Sequence, residues 1–264
     1  MRTRSLLFIP GKTKTLAKLL LLNSDSYIID LEDSIEEANK ETALAEVVQK
    51  LQEVPAEELK RIVVRLNKDR YLHEAVTLKR FPGIGFMLPK FEEPQEYEAA
   101  GMVFRQHGVI ALIETPKGIT GLKEICSVAW IRALAFGAED YTAFVGMKND
   151  AQLLSFQKGM LITYARAYGK QVYDTPSFAL SDAEKFEAEV RLAADLGFDG
   201  KLAIHPKQIE TINQIFGMFD LDAMQQIVAA YEAAGQAVLV IDGQPYEKMH
   251  INRMKRILKE KGRN

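Results

Sequence analysis

Short apolar runs alternate along the chain with longer amphipathic segments whose apolar positions recur every three or four residues. The short runs read as strands at Ser5–Ile9, Ser26–Leu31, Arg61–Leu66, Gly85–Leu88, Val109–Ile113, Ala133–Phe136, Gln171–Asp174 and Gly200–Ile204. Most are apolar nearly throughout, the pattern of a parallel strand covered on both faces rather than of a half-exposed strand. Between them the helical periodicity covers Thr13–Leu22, Glu36–Glu53, Leu72–Arg80, Pro94–Gln106, Ile119–Ala129, Gln152–Tyr168, Asp182–Leu196 and Lys207–Phe216. Eight strands, each followed by a helix, predict a (β/α)8 TIM barrel, and 264 residues is close to the usual length of one. After Phe219 the alternation stops. Residues 1–219 are expected to form the catalytic barrel and 220–264 a C-terminal helical extension or lid that either covers the barrel mouth or reaches a neighbouring subunit, with helices at Asp220–Gly235 and His250–Lys261 around a short extended run at Ala237–Ile241.

Charge and cysteine content narrow the function classes. A net charge of −2 gives no electrostatic case for nucleic acid. The single cysteine, Cys126, excludes an intramolecular disulfide and a multi-cysteine zinc site, and its helical context points to a buried thiol. No apolar run approaches a membrane span, and no targeting segment is apparent, so a cytoplasmic protein is expected. Walker A, dinucleotide-glycine and His-x-x-x-His patterns are absent. The basic residues near the C-terminus, Lys255, Arg256, Lys259, Lys261 and Arg263, read as a solvated face.

The polar residues at the strand ends carry the candidate chemistry, because α/β barrels place their active sites at the carboxyl ends of the strands. Glu114 ends the fifth strand and Asp140 follows the sixth, one βα unit apart; such carboxylates suit Mg²⁺, which binds one or two acids and leaves its other positions to water and substrate. Asp30, Glu32 and Asp33 end the second strand, Arg65 and Asn67 the third, Lys90 the fourth, Asp174 the seventh and His205 the eighth. Arg65 lies within an apolar strand, which is costly without an anionic partner. That partner is Asp30, Glu32 or Asp33, a substrate carboxylate, or both kinds at once. Asp33, Asp140 and Asp174 could instead cap helices. The Gly137–Asp140 turn offers backbone N–H groups, those of Ala138 and Glu139 among them, to a carboxylate or enolate oxygen.

These residues fall in ordered motifs: Arg4-Ser-Leu-Leu-Phe-Ile-Pro-Gly11, Ile29-Asp-Leu-Glu-Asp-Ser34, Val64-Arg-Leu-Asn67, Leu88-Pro-Lys90, Leu112-Ile-Glu-Thr-Pro-Lys-Gly118, Phe136-Gly-Ala-Glu-Asp140 and Gly197 to Ile209. Together they resemble the citrate lyase beta-subunit-like branch of the HpcH/HpaI aldolase superfamily. The resemblance implies a TIM barrel assembled as homotrimers or hexamers. It also implies Mg²⁺-dependent cleavage or formation of a carbon–carbon bond in a CoA or acyl-carrier thioester of the citryl-, malyl- or citramalyl type. By the same resemblance Glu114 and Asp140 would hold Mg²⁺, and Arg65 would bind the 2-oxo or 2-hydroxy acid and stabilise the developing oxyanion. Asp30, Glu32 and Asp33 would order the metal's waters and Arg65, and the segment from Arg4 to Lys12 would lie along the thioester arm. Two positions depart from the pattern. Glu247 stands where the lid of similar proteins carries an Asp, and Lys12 lies where Asn then Arg is frequent. A thioester hydrolase on the same scaffold is the alternative activity. A class II pyruvate aldolase is disfavoured, since those resembling enzymes use an early histidine and none precedes His73 here.

Overall fold

The structure is a computed structural model that describes residues 3–12, 20–217 and 221–261. Eight parallel strands close into a barrel in sequence order: β1 (Ser5–Pro10), β2 (Ser26–Asp30), β3 (Ile62–Arg65), β4 (Gly85–Leu88), β5 (Val109–Ile113), β6 (Ile131–Phe136), β7 (Gln171–Asp174) and β8 (Gly200–Ala203), with β8 pairing back on β1. This is the (β/α)8 fold expected from the alternation. The expected helix at Thr13–Leu22 lies largely outside the described residues.

Period-two alternation sorts each strand into an inner and an outer face. Leu6, Ile28, Val63, Met87, Ile110, Leu112, Ala133, Ala135, Tyr173 and Leu202 form the cluster that fills the barrel, with Phe8 packed against it. Their neighbours Leu7, Ile29, Val64, Phe86, Leu134 and Val172 are equally buried on the other face, under the helices. The same parity carries Asp30, Arg65, Glu114 and Gly137 to the inner face at the strand ends, and Asp174 and Lys201 to the outer face.

Departures from the expected helices have local causes. Residues Ile119–Ala129 form no single helix: Pro116–Thr120 and Leu122–Ser127 meet at Gly121. Thr115 caps the first, its hydroxyl accepting from the Gly118 N–H at 3.1 Å. Pro94–Ala100 is a 3-10 helix leading into Gly101–His107. Asp182 caps helix Ala183–Leu196 by accepting from Lys185 N–H. Cys126 is buried, as its helical context predicted.

Residues 216–264 separate as a second compact unit. It holds helix Leu221–Ala234, a two-stranded antiparallel hairpin of β9 (Val238–Ile241) and β10 (Gln244–Glu247), and helix Lys248–Lys261. The hairpin was not foreseen as such. Its two-residue turn, Asp242-Gly243, has positive φ at both positions (49° and 78°), the conformation Asp-Gly favours. Among the described residues no helix is long and apolar enough to cross a membrane.

Candidate active site

Arg65 organises the mouth of the barrel. It is the register partner of Asp30, and the two meet in a bidentate pair: Arg65 Nε donates to Asp30 Oδ1 at 2.7 Å and Nη2 to Oδ2 at 2.8 Å. Each Asp30 oxygen also accepts a backbone N–H, from Glu32 at 2.9 Å and Ser34 at 3.0 Å. Burial alone would raise the Asp30 pKa; Arg65 and the N–H groups hold it below the ordinary range. The remaining guanidinium nitrogen, Nη1, lies 3.0 Å from both Glu32 and Asp33. Phe8 packs its ring under the guanidinium at 5.1 Å, a cation–π contact that closes the inner side. The charge buried in a strand thus has protein partners, with Asp33 largely exposed and Glu32 largely buried beside it.

Glu114 is the second anchor. It is 4 % exposed, and burial pushes its carboxyl up to about 8, with Glu32 and Asp140 adding to the rise and the Lys90 N–H opposing it. Its Oε1 accepts that N–H at 2.7 Å. Lys90 adopts a positive φ of 46°, a costly conformation for a residue with a Cβ, and this aims both its N–H and its ammonium at acids. Lys90 Nζ lies 3.2 Å from Glu32 Oε1 and 3.6 Å from Asp140 Oδ2. Gly137 gives Glu114 its place: a Cβ there would fall 2.5 Å from Glu114 Oε2. A cavity of about 550 Å³ opens beside Glu32 and Lys90, bordered by Asn67, Lys68 and Tyr71. Asn67 itself is held from behind by buried Lys40 and Glu74.

The arrangement suits a divalent cation on three counts. Among the described residues five carboxylates (Asp30, Glu32, Asp33, Glu114 and Asp140) gather there, and the cations ion-paired with them are Arg65 and Lys90. Glu32 Oε2 is buried and, although 3.0 Å from Arg65, lies off any N–H axis and makes no hydrogen bond. The acids gathered there offer carboxylate oxygens and no thiolate or imidazole, a donor chemistry that suits Mg²⁺ better than zinc, although among the described residues no three His, Cys, Asp or Glu side chains converge as a cage.

Not every candidate within the barrel comes to its mouth. Arg4 precedes β1 and so lies at the opposite, amino-terminal end of the barrel, about 20 Å away at the usual strand rise. There its guanidinium is bound to Asp25 at 2.8 Å and to the Asn213 carbonyl. The expectation that the whole Arg4 to Lys12 segment follows a substrate arm is therefore corrected: Lys12, exposed after β1, is at the mouth, and Arg4 is not. Ala138 does not have a free N–H either, since it donates to Thr175 Oγ1 at 3.2 Å. Glu139 turns outward, where its carboxylate accepts from Asn149. Glu247 ends β10 in the C-terminal unit, exposed, its N–H donating to His250 Nδ1. Asp174 neither caps a helix nor faces the mouth; it pairs with Lys158 and Lys201 outside the barrel wall. Lys90 is the residue whose part was missed. The Leu88-Pro-Lys90 motif marked it, but its backbone conformation carries no sequence signal.

The model of the HpcH/HpaI aldolase/citrate lyase family matches residues 4–206, most of the chain and all of the barrel. The chain belongs to this family. It is an enzyme of the lyase kind, on the citrate lyase beta-like branch. A (3S)-malyl-CoA thioesterase of Cereibacter sphaeroides (strain ATCC 17029 / ATH 2.4.9) is 31% identical, the match covering 94% of this chain and 90% of that protein. The citrate lyase subunit beta of Leuconostoc mesenteroides subsp. cremoris is 29% identical over 97% of this chain and 92% of its own length. Among solved structures, protein CitE from Mycobacterium tuberculosis in complex with magnesium, acetoacetate and coenzyme A superposes with a TM-score of 0.79 at 25% identity, covering 99% of this chain and 98% of that one.

Proposed function

We propose that the chain is a Mg²⁺-dependent carbon–carbon lyase that cleaves, or in reverse forms, a 3-hydroxyacyl thioester of the citryl-, malyl- or citramalyl-CoA type, giving a 2-oxo acid and an acyl thioester. The observation that carries this reading is the guanidinium of Arg65 fixed at the barrel mouth beside the largely buried acids Asp30, Glu32 and Glu114. The CitE complex with magnesium, acetoacetate and coenzyme A supports the metal and the substrate class.

Glu114 and Asp140 would hold the metal, which when bound supplies Lewis-acid polarisation of the substrate's hydroxyl and carboxylate oxygens. Asp30 locks Arg65 in one rotamer with two of its nitrogens, leaving the Nη1 edge to meet the carboxylate of the acid half. A guanidinium positioned before the reaction stabilises charge that develops on the carbonyl oxygen without reorganising. Glu32, whose Oε2 makes no hydrogen bond, would accept from water held at the metal, and Asp33 would keep Nη1 oriented at the solvent side. The exposed Lys12 and the Glu139 and Asp140 N–H groups in the first turn of helix Ala138–Val145 would meet a thioester arm or an enolate oxygen. The reading includes residues 220–264 as a lid, a homotrimeric or hexameric assembly, and a cytoplasmic location. Light scattering of the purified chain checks the assembly.

The test is a mass-spectrometric screen of malyl-, citramalyl- and citryl-CoA with and without Mg²⁺. The wild-type protein releases glyoxylate, pyruvate or oxaloacetate only with the metal, and Glu114→Ala with Asp140→Ala abolishes release. Full activity in that double variant refutes the assignment. A second reading, hydrolysis of the thioester to free 2-hydroxy acid and CoA, is favoured by the similarity to (3S)-malyl-CoA thioesterase. It gives Glu247 the catalytic part, so Glu247→Ala stops hydrolysis while leaving lysis in place; unchanged hydrolysis counts against it.

A further inference from the structure

The barrel wall carries a second ionic cluster that the proposed chemistry does not use. Asp174 ends β7 and is the register partner of Lys201 in β8. Both lie on the outer face, one residue out of phase with the inward Tyr173 and Leu202. Lys158 reaches them from helix Ser155–Ala167. Lys201 Nζ donates to Asp174 Oδ2 at 2.6 Å, and Lys158 Nζ lies 2.8 Å from Oδ1. The three residues are 1 %, 3 % and 0 % exposed for Lys201, Lys158 and Asp174.

Two buried ammonium groups share one carboxylate. The cluster is left with a net positive charge in a place where an unbalanced charge is expensive. The hydrogen bonding is unbalanced in the same sense. Lys158 Nζ lies 2.8 Å from Asp174 Oδ1, but that oxygen has no well-directed hydrogen bond. An ammonium has three N–H donors. Among the described residues Asp174 is the only polar contact of either Nζ.

These groups border a cavity of about 710 Å³. Its fully buried lining is Lys158, Lys201, Thr175 and Ser177, two cations and two hydroxyls. Thr175 Oγ1 accepts from the Ala138 N–H and Ser177 Oγ from the Ala179 N–H, which leaves both hydroxyl protons available to an acceptor in the cavity. Four acids also line it: Asp150 accepts from Gln152 and Leu153 N–H, Asp182 from Lys185 N–H and Glu139 from Asn149, while the half-buried Glu189 has no hydrogen-bond partner among the described residues. The buried part of the lining therefore offers two ammonium groups and two hydroxyl donors, with the Asp174 carboxylate behind the two lysines.

We propose that this cavity is an accessory binding site for a small oxyanion, a carboxylate or a phosphate group, seated against Lys158 and Lys201 on the outer side of β7 and β8. The site is independent of the lyase assignment, since none of its cations belongs to the barrel mouth.

Isothermal titration calorimetry of the full chain without Mg²⁺, with inorganic phosphate and separately with acetate, tests it. One anion binds per chain and saturates at millimolar concentration or below; phosphate alone or acetate alone identifies the group the site prefers. Lys158→Met weakens binding at least about tenfold, the scale of one lost charge-assisted hydrogen bond. Lys185→Glu, on the exposed first turn of the neighbouring helix, reverses a charge on the cavity lining and weakens binding several-fold. It leaves the buried cluster intact and places Glu three residues after the Asp182 cap, where it favours the helix. Circular dichroism shows whether Lys158→Met folds; where it does, that variant decides, and otherwise Lys185→Glu does. Absence of saturable binding for both probes overturns the proposal, as does wild-type affinity in the deciding variant.

Discussion

Replacing Asp30 by Asn separates a pair that is built into the barrel from one that decorates it. Asp30 is 5 % and Arg65 8 % exposed, and each carboxylate oxygen takes two N–H groups: Oδ1 from Arg65 Nε and Glu32 N, Oδ2 from Arg65 Nη2 and Ser34 N. Whichever way an Asn amide is turned, its NH₂ faces two donors. Removing one partner of a buried ion pair costs roughly 3–5 kcal/mol. Arg65 keeps Glu32 and Asp33 at 3.0 Å, which places Asp30→Asn near the lower end, about 3 kcal/mol. Asp33 touches the same guanidinium at a similar distance but is 61 % exposed, so Asp33→Asn costs under about 1 kcal/mol. Urea denaturation followed by circular dichroism reads both at pH 7. The folded pKa of Asp30 lies below its ordinary 3.8, so its contribution is complete above that value and is lost as pH falls through the folded one. The gap between wild type and Asp30→Asn therefore closes on acidification. Equal costs for the two variants, or a gap that persists in acid, refute the assignment of stability to this pair.

Two further outcomes follow from charge balance. Asp174→Asn leaves two buried ammonium groups unpaired and costs on the order of 3–5 kcal/mol by denaturation, whereas Lys158→Met leaves Asp174 with Lys201 and costs much less; the reverse order sinks the reading. Lys90→Met removes the ammonium beside Glu32 and Asp140, so millimolar Mg²⁺ raises the thermal midpoint of that variant by more than it raises the wild type's. A smaller rise would mean that Lys90 assists the metal instead of standing in for its charge.

The barrel was legible because its strands are short, nearly continuous apolar runs with polar groups at their ends, and parity fixed which side chains point inward. The same parity could have been applied to Asp174. It shares an inner face with no other strand-end acid, since Tyr173 takes the inward position, and grouping it with the other strand-end candidates overlooked this. Arg4 was misplaced for a related reason. A motif read as one unit spans a strand, and its two ends lie at opposite faces of the barrel. Lys90 was visible as a residue but not as a conformation: a positive φ on a lysine is set by the Glu114 carboxylate it meets, a tertiary contact. The β9–β10 hairpin was lost because Pro245 and the polar Gln244 and Glu247 obscure a strand that lies on the edge of a two-stranded ribbon.

Gly137 shows how a residue without chemistry sets the site. Its φ of −103° is open to any residue, so glycine is not required by the backbone. It is required by Glu114: an added Cβ would lie 2.6 Å from the Glu114 Cβ and 2.5 Å from Oε2, far inside contact distance. The Gly137 N–H is bonded to the Ile113 carbonyl at 3.0 Å, which pins this turn to the strand that carries Glu114. Neither backbone can retreat without breaking that bond, so Gly137→Ala forces the carboxylate off the Lys90 N–H and away from Asp140. The expected result is a folded barrel, destabilised by about 1–3 kcal/mol as overpacked sites are, that has lost its Mg²⁺-dependent rise in thermal midpoint. Gly137→Ala that keeps the full Mg²⁺ response would show that Glu114 does not hold the metal from this position.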